Sequence, residues 1–209
     1  GGGDDELKFD QTNGSIEIAQ YYDSAYAIVC HSGFRIDVPF SAQKKTKSSL
    51  YHAATVCGRL AGLLPQTSGT FKTLRIKEWR HQLTKTQREI ALQAGVLHNR
   101  YVENLGYVIN QAINTLQKNT QLINPDGTSP EISVMRIAEQ INKELVINMR
   151  PIFIGGNLNT SSPEDVRLFI EGYLIQKTAS KTQDNLIIRF EKITVRQVQD
   201  YYEVNYCFV

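Results

Sequence analysis

The stretch Ala91–Thr120, ALQAGVLHNRYVENLGYVINQAINTLQKNT, decides how the rest of the chain is read. A helix-like segment ends at Ala94-Gly95, and a short apolar run follows. Glu103-Asn104-Leu105-Gly106 then reads as a turn, and a second extended run, Tyr107 to Leu116, finishes in Ile-Asn-Thr-Leu. Its parity is partial: Ile109 and Ile113 share a face with Gln111, while Val108 and Ala112 share the other. Just upstream, Thr84 is followed three residues later by Gln87, the spacing at which each side chain satisfies the other residue's free amide and opens a helix. Gly95 suits the C-terminal end of that helix. The stretch holds no nucleophile beside a base, no acid pair and no phosphate loop, so it is either the wall of an active site or a building block of something larger.

The flanking sequence supplies more helices and a pair of strands. AYAIVC, Ala25–Cys30, is short and continuously apolar, as a buried strand is. KSSLYHAATVCGRLAGLLP places Leu50, Ala53, Ala54, Cys57, Leu60, Ala61 and Leu64 on one helical stripe, with Ser48 or Ser49 as the cap and Pro65 as the stop. The strongest helical period runs through Ile132, Met135, Ala138, Ile141, Leu145 and Met149. Thr128 or Ser129 caps it, Pro130 fits its first turn, Glu131 complements the helix dipole, and Pro151 kinks or ends it. Ser162-Pro163 opens a further helix, and Glu164-Asp165 favour its N-terminal dipole. NLIIRFEKITV and YEVNYCFV read as two strands around a turn near Gln199-Asp200. Turn signals mark Asn124–Gly127 and Gly155-Gly156.

With 209 residues the chain is long enough to bury a real core. Lys and Arg number 23 against 21 Asp and Glu, a net charge of +2, which is no footprint of a nucleic-acid binder. The densest basic run, Lys44-Lys45-Thr46-Lys47, reads as a solvated loop. No apolar stretch approaches the roughly 18 residues of a membrane span. Cys30, Cys57 and Cys207 are far apart and odd in number, which fits synthesis in a reducing compartment better than a disulfide framework. The first residues are acidic and glycine-rich, unlike a signal peptide. The absence of a starting Met and the abrupt NYCFV end give the expectation of an excerpt from a longer polypeptide.

No reactive constellation stands out. Cys30 and His31 are neighbours in a strand and point to opposite faces, and His52 and Cys57 share no helix face. Neither pair has metal-ligand spacing. Gly1-Gly2-Gly3 lacks a following Lys-Ser/Thr, and Gly155-Gly156 follows a helix rather than preceding one. Trp79, Tyr21-Tyr22 and Tyr201-Tyr202 read as core or interface anchors. The expectation is therefore no catalytic residue, no cofactor and no metal. The competing enzyme reading needs dispersed residues such as His98, Cys30 and Glu144 to converge in a deep pocket.

The order of the pieces carries a resemblance. HAATVCGRLAGLLPQTSGTFKTL is similar to the small-residue helix and polar loop of contractile-tail sheath proteins. LTKTQREIALQAGVLHNRYVENLGYVINQAINTL resembles their next element, a helix leading through Ala-Gly-Val into two strands that end in a Thr-containing Ile-Asn-Thr motif. ISVMRIAEQINKELVINMRPIFIGGNLNTSSPEDVRLFIEGYL resembles their long helix, break and second helix, and ITVRQVQDYYEVNYCFV occupies the place of the closing strands. The match runs in order from about Tyr51 to Val209; residues 1–50 match less clearly, and neither the variable outer domains nor a further extended C-terminal segment is seen.

The resemblance implies an α+β fold, a mixed β-sheet packed with several helices, in one domain over 16–209, while the glycine and Asn-Gly punctuation of residues 1–15 reads as a flexible segment. It implies a non-enzymatic structural subunit that polymerises around a tail tube and contracts by lattice rearrangement, in a phage tail or a related injection or secretion apparatus. The implied partners are further copies of the chain, the tail tube protein, and baseplate and tail terminator proteins, with no direct contact to nucleic acid or membrane. The implied location is the tail sheath of a virion assembled in the bacterial cytoplasm. Family members exchange terminal strands between subunits, which points to Glu203, Val204, Asn205, Tyr206, Cys207, Phe208 and Val209 as the subunit interface. Val204, Tyr206 and Phe208 alternate there with Glu203, Asn205 and Cys207, as in a strand with one apolar face.

Overall fold

A computed structural model describes residues 14–116, 129–153, 162–179, 186–198 and 201–208. Among these the elements run α1 (Ser15–Tyr22), β1 (Val29–Cys30), β2 (Phe34–Asp37), β3 (Lys44–Lys47), α2 (Ser49–Ala61), β4 (Glu78–Trp79), α3 (Lys85–Gln93), β5 (Val96–Leu97), β6 (Asn99–Val102), β7 (Gly106–Ile109), α4 (Ile132–Phe153), α5 (Pro163–Ala179), β8 (Phe190–Val198) and β9 (Tyr201–Phe208). The fold is α+β. Both kinds of pairing occur, in separate small sheets: β1 and β5 are parallel, whereas β3-β2-β4, β6-β7 and β8-β9 are antiparallel. The chain divides into two compact units, Gly1–Met135 and Arg136–Val209. The division falls inside α4, within the span 16–209 read from sequence as one domain.

In the first unit the Thr84 capping box forms as its spacing predicts. The Gln87 amide donates to Thr84 Oγ1 at 3.3 Å, and the Thr84 amide donates to Gln87 Oε1 at 3.0 Å. Past the end of α3, Gly95 takes φ +72°, and a Cβ there would stand 2.8 Å from both the Asn114 carbonyl oxygen and Thr115 Cα. Only glycine meets both conditions. The close approach belongs to a polar knot made by the Ile-Asn-Thr motif. Asn114 Nδ2 donates to the carbonyls of Ala25 at 3.0 Å and Ser129 at 2.6 Å, and Asn114 Oδ1 accepts from the Leu116 amide. Thr115 Oγ1 donates to the Ser24 carbonyl and accepts the Ser24 amide, both at 3.1 Å. Around this knot lie two apolar clusters: Phe34, Val56, Leu60, Leu74, Trp79, Leu97, Ile109 and Ile132 in one, and Ala19, Ala91, Ala94 and Val96 in the other.

In the second unit Ser162 caps α5 as expected, accepting the Asp165 amide at 3.2 Å while its own amide and hydroxyl donate to Asp165 Oδ2. Ile141 and Leu145 of α4 pack with Val166, Ile170, Tyr173 and Leu174 of α5 and with Ile187. The inward residues of β8 and β9 cover that core. The α4 stripe is buried as its period requires, with Ile132, Met135, Ile141 and Leu145 all in cores.

Several local expectations are corrected. Only Val29–Cys30 of the run 25–30 is strand. The strand after the 103–105 turn stops at Ile109 instead of reaching Leu116. Beyond it the backbone pairs elsewhere: the Thr115 amide donates to the Ala27 carbonyl, the Asn114 amide to Pro130, and the Ala112 carbonyl accepts from Ile132. The buried face of α2 is His52, Val56 and Leu60; Leu50, Ala54, Cys57, Ala61 and Leu64 are exposed. The basic run 44–47 is an exposed edge strand, where lysines discourage unwanted pairing. α4 begins at Ile132, so Ser129 and Pro130 precede it, and it continues through Pro151 to Phe153. Pro151 forfeits a bond to the Ile147 carbonyl, on a face exposed enough for water to replace it. Residue 15, assigned to the flexible segment, begins α1. Residues 1–13, Thr128, Val209 and the turns at 124–127, 155–156 and 199–200 lie outside the described residues.

Two substitutions test this arrangement. Ile141→Asp places a charge at a position with 0% exposure and should cost several kcal/mol, about enough to unfold a marginal unit. An unchanged melting temperature would show that the α4 stripe is not core. Asn114→Ala should cost about 2–4 kcal/mol in urea unfolding, because two buried carbonyls and one amide lose their partner together. A loss below about 0.5 kcal/mol would mean that these groups are satisfied without the carboxamide.

Candidate assembly interface

The C-terminal hairpin is built on alternation. Tyr202, Val204 and Tyr206 of β9 and Ile193 and Val195 of β8 turn toward the core of the second unit, while Glu203, Asn205 and Cys207 are exposed. Across the strands Val195 faces Val204, Thr194 faces Asn205, and Arg196 faces Glu203, an opposite-charge pair on the outer face. Between Glu191 and Thr194 the register shifts: three steps on β8 match two on β9, and Lys192 takes φ +55°. This bulge lets Phe190 and Ile193 face the same side although their numbering differs in parity.

The hairpin is tied to α4 through Tyr206, whose hydroxyl donates to Asn142 Oδ1. Burial, with Glu139 nearby, pushes the Tyr206 phenol up to about 12, so it stays a neutral donor. Behind it Tyr173 donates to Glu144 Oε2 at 2.5 Å, and Lys177 pairs with the same oxygen at 2.7 Å. Burial alone would raise the Glu144 carboxyl, but hydrogen bonds from Lys177, Tyr173 and Gln140 outweigh it and hold the group down at about 2. Burial and the Glu144 charge raise the Tyr173 phenol in turn. Sequence reasoning missed this cluster, although the four-residue spacings Gln140–Glu144 and Tyr173–Lys177 were available as a signal.

Of the proposed interface residues, Glu203, Asn205 and Cys207 lie on the outer face, Val204 and Tyr206 face inward, and Phe208 pairs in register with Phe190. The two strands form their own two-stranded sheet, so among the described residues each keeps one edge without a strand beside it.

The residues named for the enzyme reading stand in different settings. Burial, with Cys57 contributing, raises the Cys30 thiol to about 12, far from thiolate formation near neutrality. His98 is 1% exposed, and Glu144 belongs to the second unit. An open depression of about 440 Å³ is lined by Arg35, Asp37, Lys44, Lys77 and Glu78. Its charges pair among themselves, Lys44 and Arg35 with Glu78 and Lys77 with Asp37. Among the described residues no three His, Cys, Asp or Glu side chains are placed to hold a metal ion, and no helix is long and apolar enough to cross a membrane.

Solved sheath proteins share this fold. The sheath tail protein of Desulfitobacterium hafniense superposes with a TM-score of 0.60 at 16% identity, over 91% of this chain and 47% of its own. That of Listeria innocua gives 0.59 at 18% identity, over 90% and 46%. The helical sheath of the anti-feeding prophage in its contracted state gives 0.60 at 15% identity, over 88% and 52%. The chain spans about half the length of the solved sheath chains it matches. No family profile and no curated protein matches it. At these identities the shared property is the fold, that of contractile-sheath subunits.

The Glu144 cluster makes a pH prediction. Because the folded carboxyl sits below its ordinary value near 4.5, its contribution is present above that pH and is lost as the pH falls toward about 2. Glu144→Gln should therefore lower stability by about 1–2 kcal/mol at pH 7, a figure discounted for partial exposure, with the difference vanishing in strong acid. A constant difference from pH 7 to pH 2 would place the effect in packing, not in charge.

Proposed function

We propose that the chain is a structural, non-enzymatic subunit of a contractile sheath, polymerising with further copies of itself around a tail tube. The observation that carries this reading is the superposition of about nine-tenths of the chain on sheath subunits of separate contractile systems. Contraction in such a lattice draws on the difference in subunit contacts between two packings, so it needs no bound nucleotide. The C-terminal hairpin suits the joining role: its inner face anchors it to its own subunit, and its strand edges offer backbone groups to a neighbouring chain. The partners are then the tube protein and the baseplate and terminator proteins at the sheath ends, and the setting is a phage tail or a related injection machine.

Immunogold microscopy with antibodies against this chain is the direct test. Regular labelling along a striated tail shaft supports the proposal, and labelling confined to the head, fibres or cytosol overturns it. Within an assembling protein, Asn205→Pro should leave melting of the α4–α5 core within a few degrees of the parent while abolishing tube formation, because proline removes a ladder amide from β9. Normal tubes from that variant would place the linkage elsewhere.

A further inference from the structure

Three histidines from separate elements meet inside the first unit. His31 follows β1 and His98 follows β5; these strands are parallel partners, and the His31 amide donates to the Leu97 carbonyl at 3.0 Å. His52 comes from the first turn of α2, with its ring edge-on to Trp79 at 4.5 Å. The three are 2%, 1% and 0% exposed, respectively. Asn99 Nδ2 stands 3.0 Å from His52 Nε2, an arrangement that needs this nitrogen unprotonated as the acceptor. Ser15 Oγ of α1 lies 2.8 Å from His31 Nδ1, and His98 Nδ1 faces the Val96 carbonyl at 3.5 Å.

The charged and titratable groups that act on His52 and His98 are bases. His81, beyond β4, and His98 act on His31; His31 acts on His52; and Arg88 of α3 acts on His98. Among the described residues no carboxylate makes an ion pair with His52 or His98. We propose that this junction is an acid-sensitive latch: protonating His52 and His98, together with His31, releases α2 from the β1–β5 pair while the helical core of the second unit stays folded.

Burial holds each of the three imidazoles down at about 4, against its ordinary 6.5. Around His52 the backbone of His31 and Ser32 pulls the other way without overcoming burial. The unfolded chain therefore binds these protons more tightly, so the contribution of the junction is complete above about pH 6.5 and is lost as the pH falls toward about 4. Over most of that range the Glu144 cluster of the second unit is still ionised.

Hydrogen exchange read by mass spectrometry, corrected for intrinsic rates, tests the latch on the purified chain at pH 7.5 and pH 5.0. Peptides across 49–61 and 94–102 should lose protection by about tenfold or more at pH 5.0, with peptides across 141–149 and 166–174 unchanged. In the double variant His52→Gln, His98→Gln the acid-dependent loss should shrink to less than about threefold. Equal loss in both units, or an undiminished loss in the variant, would overturn the proposal. Should the variant fail to fold, the imidazole proton resonances of the parent chain decide. Rings that stay neutral until protection is lost support the latch, and rings that titrate near about 6.5 in a fully protected chain rule it out.

Discussion

The Asn114 carboxamide donates its two N–H groups to carbonyls 89 and 15 residues away in sequence, and its oxygen accepts from the chain two residues on. A primary amide is the smallest side chain with two donors and an acceptor in one plane, and at 1% exposure no water competes for them. That geometry fixes three otherwise separate segments at one point: the approach to β1, the residues after β7, and the approach to α4. The end of α3 completes the knot because Gly95 leaves room for it. The parallel pairing of β1 with β5 and the meeting of the three histidines follow from where these segments are held. A connection of that range is slow to find in folding and hard to lose afterwards.

The two units reach stability by different chemistry. The first relies on buried amides and neutral imidazoles beside its apolar clusters, so it is sensitive to a proton in the wrong place. The second is a helix pair and a hairpin over an aliphatic and aromatic core, with one half-buried carboxylate held ionised by three donors. Buried neutral bases fail in mild acid, whereas paired carboxylates persist into strong acid.

What was legible in the sequence was local. The Thr84–Gln87 box, the Ser162 cap, the α4 stripe and the alternation over residues 203–207 of β9 each depend on residues a few positions apart, and each formed as read. Where the governing interaction was distant, the reading failed. α2 was assigned its small and apolar face, but Trp79 and Asn99, from other elements, make a histidine part of its buried side. The run to Leu116 has the composition of a strand, but its backbone is claimed by Ala27 and Pro130. α1 escaped notice because only Ala19 of its eight residues is buried, too little to leave a periodic trace. Of the candidate interface, the inward and outward parity of residues 203–207 was readable; what meets the outward side is not encoded in the spacing of one chain.

The bulge at Lys192 bears on how the two strands of the hairpin keep their alignment. A plain two-stranded ribbon can slip by two residues and still bury the same kind of side chain, so its alignment is degenerate. With three residues set against two at a single position, slippage would carry the extra residue away from its left-handed backbone and expose Phe190 or Ile193. The hairpin thus carries one index mark along its length.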